Sequence, residues 1–305
     1  MKEDIIRFQV TEEQEGERID KCLTGLIDFV SRSGIQKRIK EQLVCVNDIP
    51  VKASYIVKSG DEISLPVLKN EEPDIPAENI PLDILYEDTD LLIVNKPKDM
   101  VVHPAAGHYS GTLVNAVMYH CKDSLSGING VLRPGIVHRI DKDTTGSLVI
   151  CKNDKAHLSV AEQLKEHSIT RVYHAICHGN PKEEEGTISG LIGRDPKDRK
   201  KMSVVSQNGK PAVTHYKVLQ RFQDYAYIEC RLETGRTHQI RVHMASIGHP
   251  LLGDELYGNR KSAYKLNGQT LHAATIGLIH PSTQEYLEVT APLPAYFCHL
   301  LQILK

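Results

Sequence analysis

Residues 135–154, GIVHRIDKDTTGSLVICKND, set two short apolar runs, 135–137 and 148–151, on either side of an almost wholly polar crossing. Apolar runs of this kind read as buried strands or strand edges. An arginine and two aspartates between them must then lie on a short loop at a strand end, where a stiff sheet can hold catalytic groups. Asp141 stands where the first run gives way to the crossing. Asp143 is followed by Thr144-Thr145-Gly146, which suits a carboxylate accepting backbone N–H bonds inside a turn. Strand alternation puts Arg139 and Asp141 on one side-chain face. On these residues alone, a salt bridge and a catalytic carboxylate are both open readings.

The rest of the chain is rich in strand patterns. Beyond residue 81, strands are expected at 82–86, 91–95, 171–178, 212–219, 225–232 and 286–289, with helical patterns at 113–121, 157–166 and 237–247. Runs of strands with occasional helices predict an α+β fold, a large mixed and mainly antiparallel sheet with flanking helices. Upstream, a strand at 5–10, a helix from 16, a basic helix from 33 or 34 to 41 and a small β layer predict a compact α+β module over residues 1–66. Residues 67–81 carry prolines and acids and read as a linker, leaving 82–305 as the large domain.

Composition narrows the classes. Lys and Arg number 37 against 39 Asp and Glu, so net charge does not announce a nucleic-acid partner and local clusters matter more. Arg32, Lys37, Arg38 and Lys40 cluster on the basic helix, and a second basic knot spans 194–201. No run of 18 apolar residues exists, so no membrane span is expected, and the acidic N-terminus lacks a secretory h-region. The seven cysteines are scattered without a C-x-x-C pair, which suggests neither disulfides nor a thiolate zinc site and places the chain in the cytoplasm.

A second polar patch, 233–244, reads ETGRTHQIRVHM. Ile240, Met244 and Ile247 give a helical face, with Arg236, His238 and Arg241 around it; Thr237 is placed to cap the helix. His238 and His243 are five apart, which is not a metal-binding helix spacing, so no metal is expected. Neither of the glycine-rich nucleotide-binding motifs occurs, so no nucleotide cofactor is expected either.

Five segments in order carry a resemblance. Residues 138–146, HRIDKDTTG, resemble the H-R-L-D-x-x-T-S-G signature of the RluA family of RNA pseudouridine synthases; 90–97, 102–104, 171–173 and 235–243 are similar to further motifs of that family, and 248–258 fits its tail. The likeness covers roughly 80–295, and 16–66 resembles the S-four RNA-binding domain of the family's large-subunit ribosomal RNA branch. Ile140, Thr145 and Ser147 depart from the usual residues without touching the chemistry.

The resemblance implies isomerisation of uridine to pseudouridine in structured RNA, with large-subunit ribosomal RNA as the expected substrate, no DNA partner and a monomeric chain. The N1–C1′ bond breaks, the uracil turns, and C5 joins C1′. Nothing is oxidised and nothing is added, so the reaction itself needs no metal or cofactor. Asp141 would act on C1′ or remove the 2′ proton, two routes the sequence leaves open. Arg241 would pair with Asp141 and orient it. Tyr173 would stack on the uracil and assist proton transfer from C5. Arg139 would fill the space left by the flipped base. Lys96 and His103 would line the cleft or meet phosphate, and Arg32, Lys37, Arg38 and Lys40 would grip RNA phosphates. The alternatives are a non-catalytic RNA-binding protein that keeps the fold, and a hydrolase using Asp141 on a nucleoside. A synthase of this kind should keep its turnover after exhaustive chelation and without added nucleotide; loss restored by zinc would reopen the two-histidine metal reading.

Overall fold

The computed structural model describes residues 5–27, 32–66, 75–104, 109–122, 124–128, 134–198, 201–258, 264 and 266–304, without the side chains of 32, 33 and 37. The chain divides into two compact units, Met1–Glu71 and Glu72–Lys305.

In the first unit, β1 (Ile5–Gln9), α1 (Ile19–Leu26), α2 (Arg32–Lys40), β2 (Cys45–Val46), β3 (Ile49–Pro50) and β4 (Glu62–Pro66) form a four-stranded sheet, order β1-β4-β2-β3, with two helices. Ile19 and Leu23 of α1 and Ile35 and Ile39 of α2 are buried together with Ile63 and Leu65 of β4. Asp20 is fully buried, and Arg18 and Gln36 donate to its carboxylate at 3.0 and 2.6 Å.

The second unit contains β5 (Ile84–Glu87), β6 (Leu91–Lys96), α3 (Leu113–Cys121), β7 (Thr145–Cys151), α4 (Asp154–Lys165), β8 (Thr170–His178), β9 (Glu185–Arg194) and β10 (Met202–Val205). It continues through β11 (Lys210–Arg221), β12 (Tyr225–Leu232), α5 (Gln239–Ser246), β13 (Leu271–Ile279), β14 (Tyr286–Thr290) and α6 (Ala295–Ile303). One ten-stranded sheet runs β10-β9-β11-β12-β8-β13-β7-β6-β5, with β14 also on β13. All pairs are antiparallel except β7 with β13. This is an α+β fold on a large, mainly antiparallel sheet.

Alternation decides the layers. Leu92, Val94, Leu148 and Ile150 face α3 and α5, whereas Leu91, Ile93, Val149 and Cys151 face Ala156 and Val160 of α4. Both faces of β7 are covered, so all seven of its residues are buried and its pattern is continuous rather than alternating. Helix starts follow local chemistry: Asn153 caps α4 by accepting from the Ala156 N–H at 2.9 Å. Gly146 sets the β7–β13 junction. Its φ is 108°, and a Cβ there would fall 2.2 Å from the Ala273 carbonyl oxygen.

Several sequence expectations shift. Residues 135–137 form only an isolated bridge, Ile136 to Ile150. The expected helices at 157–166 and 237–247 are α4 and α5, displaced by a few residues, and β9, β10, β13 and α6 come in addition. The stretch read as a linker is corrected in its second half. Residues 67–74 lie outside the described residues, but Ile75 is 2% exposed in the main core. Asn115 of α3 donates to the Pro76 carbonyl at 2.8 Å, and the Glu78 N–H donates to the Asn115 carbonyl at 2.9 Å. Proline removes backbone donors, and helix α3 supplies the missing partners.

A second unit begun at residue 72 should therefore be more stable than one begun at residue 82, by about 3 kcal/mol from one buried Ile and its hydrogen bonds. Urea denaturation of the two truncated proteins measures this, and equal midpoints would show that 75–81 contributes nothing.

Candidate active site

The patch at 233–244 folds into a tight turn that leads into α5. Gln239 is buried and organises it. Its Oε1 accepts from Thr234 Oγ1 at 2.8 Å and from the Arg236 N–H at 2.9 Å, and its Nε2 donates to the Val213 carbonyl and Thr214 Oγ1. His238, not Thr237, is the residue before the helix, in the left-handed region with φ 57°. At Gly235 a Cβ would come 2.6 Å from Arg171 Nη1, so a larger residue would displace that guanidinium, which donates to the Glu233 carbonyl at 2.9 Å.

This turn aims the first residues of α5 at the polar crossing. Arg241, 7% exposed, is forked between two carboxylates. Its Nε and Nη2 donate to Asp254 at 2.7 and 2.9 Å, and its Nη1 donates to Asp141 Oδ2 at 2.8 Å. Burial works against the Arg241 charge, but the hydrogen bonds and charge of Asp254, then of Asp141, outweigh it and push its pKa up. Asp254 is fully enclosed, whereas Asp141 keeps 20% of its side chain exposed. One carboxylate is buried as an anchor and the other reaches open space. His238 Nε2 lies 3.8 Å from the remaining oxygen of Asp141, Oδ1.

The cleft over Asp141 is lined by Arg139, Tyr173, Arg236, His238, Leu232 and Leu271. Tyr173 on β8 is 8% exposed, and burial pushes its hydroxyl pKa up, against the opposing pull of Arg171. Arg139 is exposed, and its Nη1 donates to His103 Nε2 at 3.2 Å. The extended segment keeps Arg139 and Asp141 on the same cleft, as alternation implied. Asp143 packs instead against Gly268, where a Cβ would stand 2.5 Å from it. The turn is closed by backbone, from the Thr144 N–H to the Asp141 carbonyl at 3.1 Å.

Lys96 corrects an expectation. It is fully buried and its Nζ donates to the carbonyls of Pro97, Met100 and Lys142 at 2.7, 2.9 and 2.9 Å. Burial pushes its pKa down to about 7, opposed by Asp143, Asp141 and Asp99. Three carbonyl acceptors match the three N–H bonds of an ammonium, so Lys96 ties the 97–100 loop to the polar crossing and does not line the cleft. His103 is 6% exposed and supports Arg139 from behind rather than facing RNA. On the first unit, Lys40 is exposed, but Arg38 is half-buried and donates to the Gly34 carbonyl at 3.2 Å. Arg32 and Lys37 have side chains outside the described residues.

Asp254, His238 and Tyr257 are the residues that sequence reasoning did not assign to the site. His238 was weighed only as a metal ligand with His243; the structure separates the two, because His243 is buried against Thr214 Oγ1 at 2.9 Å. The signal for Asp254 lies in 248–258, a motif-like run to which the sequence attaches no chemistry, whereas the fold sets Asp254 against Arg241.

A partly exposed carboxylate, oriented by a buried arginine beside a tyrosine and an exposed arginine, is an arrangement that can act on a glycosidic centre. The RNA pseudouridylate synthase family matches residues 90–246, and the S4 domain family matches 18–63. An uncharacterized RNA pseudouridine synthase of Bacillus subtilis, YlyB, is 53% identical over 98% of this chain and 98% of its own. The ribosomal large subunit pseudouridine synthase D of Zymomonas mobilis is 46% identical over 93% of each chain. The solved structure of human RNA pseudouridylate synthase domain containing 1 superposes with a TM-score of 0.57 at 29% identity, covering 71% of this chain and 85% of that one. The chain belongs to the RNA pseudouridylate synthase family. It is an isomerase that converts uridine to pseudouridine in RNA.

Replacing Lys96 with Met keeps the stem and removes the donors. Lys96→Met should lower stability by about 3 kcal/mol, because three buried carbonyls lose their partner. RNA affinity of the folded protein should not change, which filter binding alongside urea denaturation would establish.

Proposed function

We propose that this synthase modifies uridines of large-subunit ribosomal RNA and that Asp141 opens the glycosidic bond. The substrate reading is supported by the name of the Zymomonas relative and by the S4 domain, whose fold suits phosphate contacts rather than base reading. The observation that carries the assignment of Asp141 is its contact with Arg241, 2.8 Å at Oδ2, which leaves Oδ1 directed to the cleft. A carboxylate has two routes, attack on C1′ and removal of the 2′ proton, and both use that oxygen.

The other roles follow from position. Tyr173 presents a mostly buried ring to the cleft, a surface on which a uracil can stack, and its hydroxyl is kept protonated and able to donate. Arg139 is planar, exposed and held at one nitrogen, which suits a side chain that takes the stacking position of an extruded base. Flipping a paired uridine costs roughly a few kcal/mol, and stacking by such a group offsets part of it. The bond count closes: N1–C1′ is broken, C5–C1′ is formed, the C5 proton leaves and N1 is protonated.

Asp141→Asn keeps the shape of the side chain and removes its charge and nucleophile. Tritium release from 5-tritiated uridine RNA should fall to background under single-turnover conditions, while RNA affinity stays within about tenfold. Retained turnover would overturn the assignment, and free uracil in solution would mark a hydrolase.

A further inference from the structure

His238 is held by a chain of hydrogen bonds that favours one place for its proton. The Met202 N–H donates to Tyr257 Oη at 2.9 Å, and His238 Nδ1 lies 2.8 Å from the same oxygen. A backbone N–H can only donate, so Tyr257 Oη accepts from Met202 and its own hydrogen is free to be donated. Among the described residues His238 Nδ1 is the atom in place to accept it. With Nδ1 accepting, the neutral ring carries its proton on Nε2, the atom 3.8 Å from Asp141 Oδ1. The ring is further fixed edge-on to Tyr257, with centroids 5.7 Å apart, and by its left-handed backbone, a conformation that costs a non-glycine residue about 1 kcal/mol or more.

We propose that His238 is a positioning residue for Asp141: held by Tyr257 as the neutral Nε2–H tautomer, it presents one donor to Oδ1, the oxygen that Arg241 leaves open. This rests on Asp141 being the reacting group. Arg241 fixes one end of the carboxylate; at 3.8 Å the Nε2–H stands just outside hydrogen-bond distance of the other, a donor that can close on Oδ1 without binding it as tightly as a cation would. An imidazolium there would compete with the substrate for Oδ1 as an ion-pair partner. The groups facing the ring are Asp141 and Arg139 from the crossing, Arg241 from α5, and Asp254 and Tyr257 from the turn at 251–257. Burial keeps the ring neutral, aided by Arg241 and Arg139 and opposed by Asp141 and Asp254. The donor at the head of the chain is the first residue of β10, so the basic hairpin β9–β10 is linked through Met202, Tyr257 and His238 to Asp141.

Nitrogen-15 NMR of histidine-labelled full-length protein tests the tautomer directly. His238 should show an Nε2–H signature and stay neutral below the pH at which an ordinary imidazole titrates. Tyr257→Phe removes the partner of Nδ1, so the tautomer should no longer be enforced and an Nδ1–H population should appear in the same spectra. The single-turnover rate of that variant should then fall about tenfold, with RNA affinity little altered. A glutamine amide can stand where Nε2 stands, so His238→Gln should stay within about tenfold of the intact enzyme while His238→Ala loses about a hundredfold. An ordinary His238 titration in the intact protein, or an Nδ1–H tautomer, overturns the proposal. Equal losses in His238→Gln and His238→Ala, with an unchanged tautomer in Tyr257→Phe, overturn it as well. Full turnover in Asp141→Asn overturns the reading beneath it whatever the His238 tautomer, so the two failures are distinguishable.

Discussion

The buried guanidinium of Arg241 is the interaction on which the site depends. Removing a cation and two carboxylates from water costs several kcal/mol per ion, and only near-ideal geometry offsets it. Here the geometry divides the work. Asp254 takes the side-on fork, Nε and Nη2, and also accepts from the N–H groups of Leu256 and Tyr257 at 3.0 and 3.1 Å. It is therefore anchored from two directions and has no exposed surface. Asp141 receives the single remaining nitrogen, Nη1, and keeps one oxygen open to the cleft. Two carboxylates on one arginine are thus made unequal by burial and by hydrogen-bond count. The arginine also stacks its planar group over Tyr257, 5.1 Å from the ring centre, which fixes its plane.

Asp141 and Arg241 are 100 residues apart, and the sheet brings them together. The crossing is held from below by β7, whose first residues run parallel to β13 through the close approach at Gly146. Thr145 reaches His272 Nδ1 at 2.8 Å and Ser147 donates to the Ala273 carbonyl at 3.0 Å, so two of the three departures from the usual family residues tie the same two strands together. Tyr173 pairs with Ala273 on one side and Cys230 on the other, which places its ring beside the crossing from a central strand. Helix α5 is positioned by Gln239 below and by Val242 against Ile192 and Ala212 on its outer face. A site assembled from three elements is only as exact as their registers, and each register here is set by a specific contact.

Much of this was legible in the sequence, and the reasons for the rest are physical. Asp141, Arg139, Tyr173 and Arg241 line one cleft, and it was the resemblance to a known family, more than the residue pattern, that grouped them. The strand β13 was not legible: LHAATIGLI is buried on both faces and shows no alternation, so periodicity could not separate it from a helix. Lys96 misled for a different reason. The resemblance implies a lysine lining the cleft or meeting phosphate, and only the tertiary fold reveals three carbonyls converging on it. Asp254 was hidden because its partner lies 13 residues earlier with a turn between, and no local pattern announces such a pair.

The pattern of support explains why the cleft can hold its shape while one of its members stays available. His103 stands behind Arg139, Lys96 behind the crossing, Asp254 behind Arg241, and Arg171 behind the turn at 233–235. Each of these is buried, so each is shielded from competition by water for its partner. Arg139, in front, is engaged at Nη1 and otherwise exposed. A planar cation tethered at one nitrogen can swing about that tether at little cost, whereas Asp141, constrained through Arg241, cannot. In the function proposed above, base extrusion asks for a side chain that moves into vacated space, and bond cleavage asks for a carboxylate that does not move. The two arginines that flank Asp141 suit these opposite demands through burial and hydrogen-bond count, since their chemistry is identical.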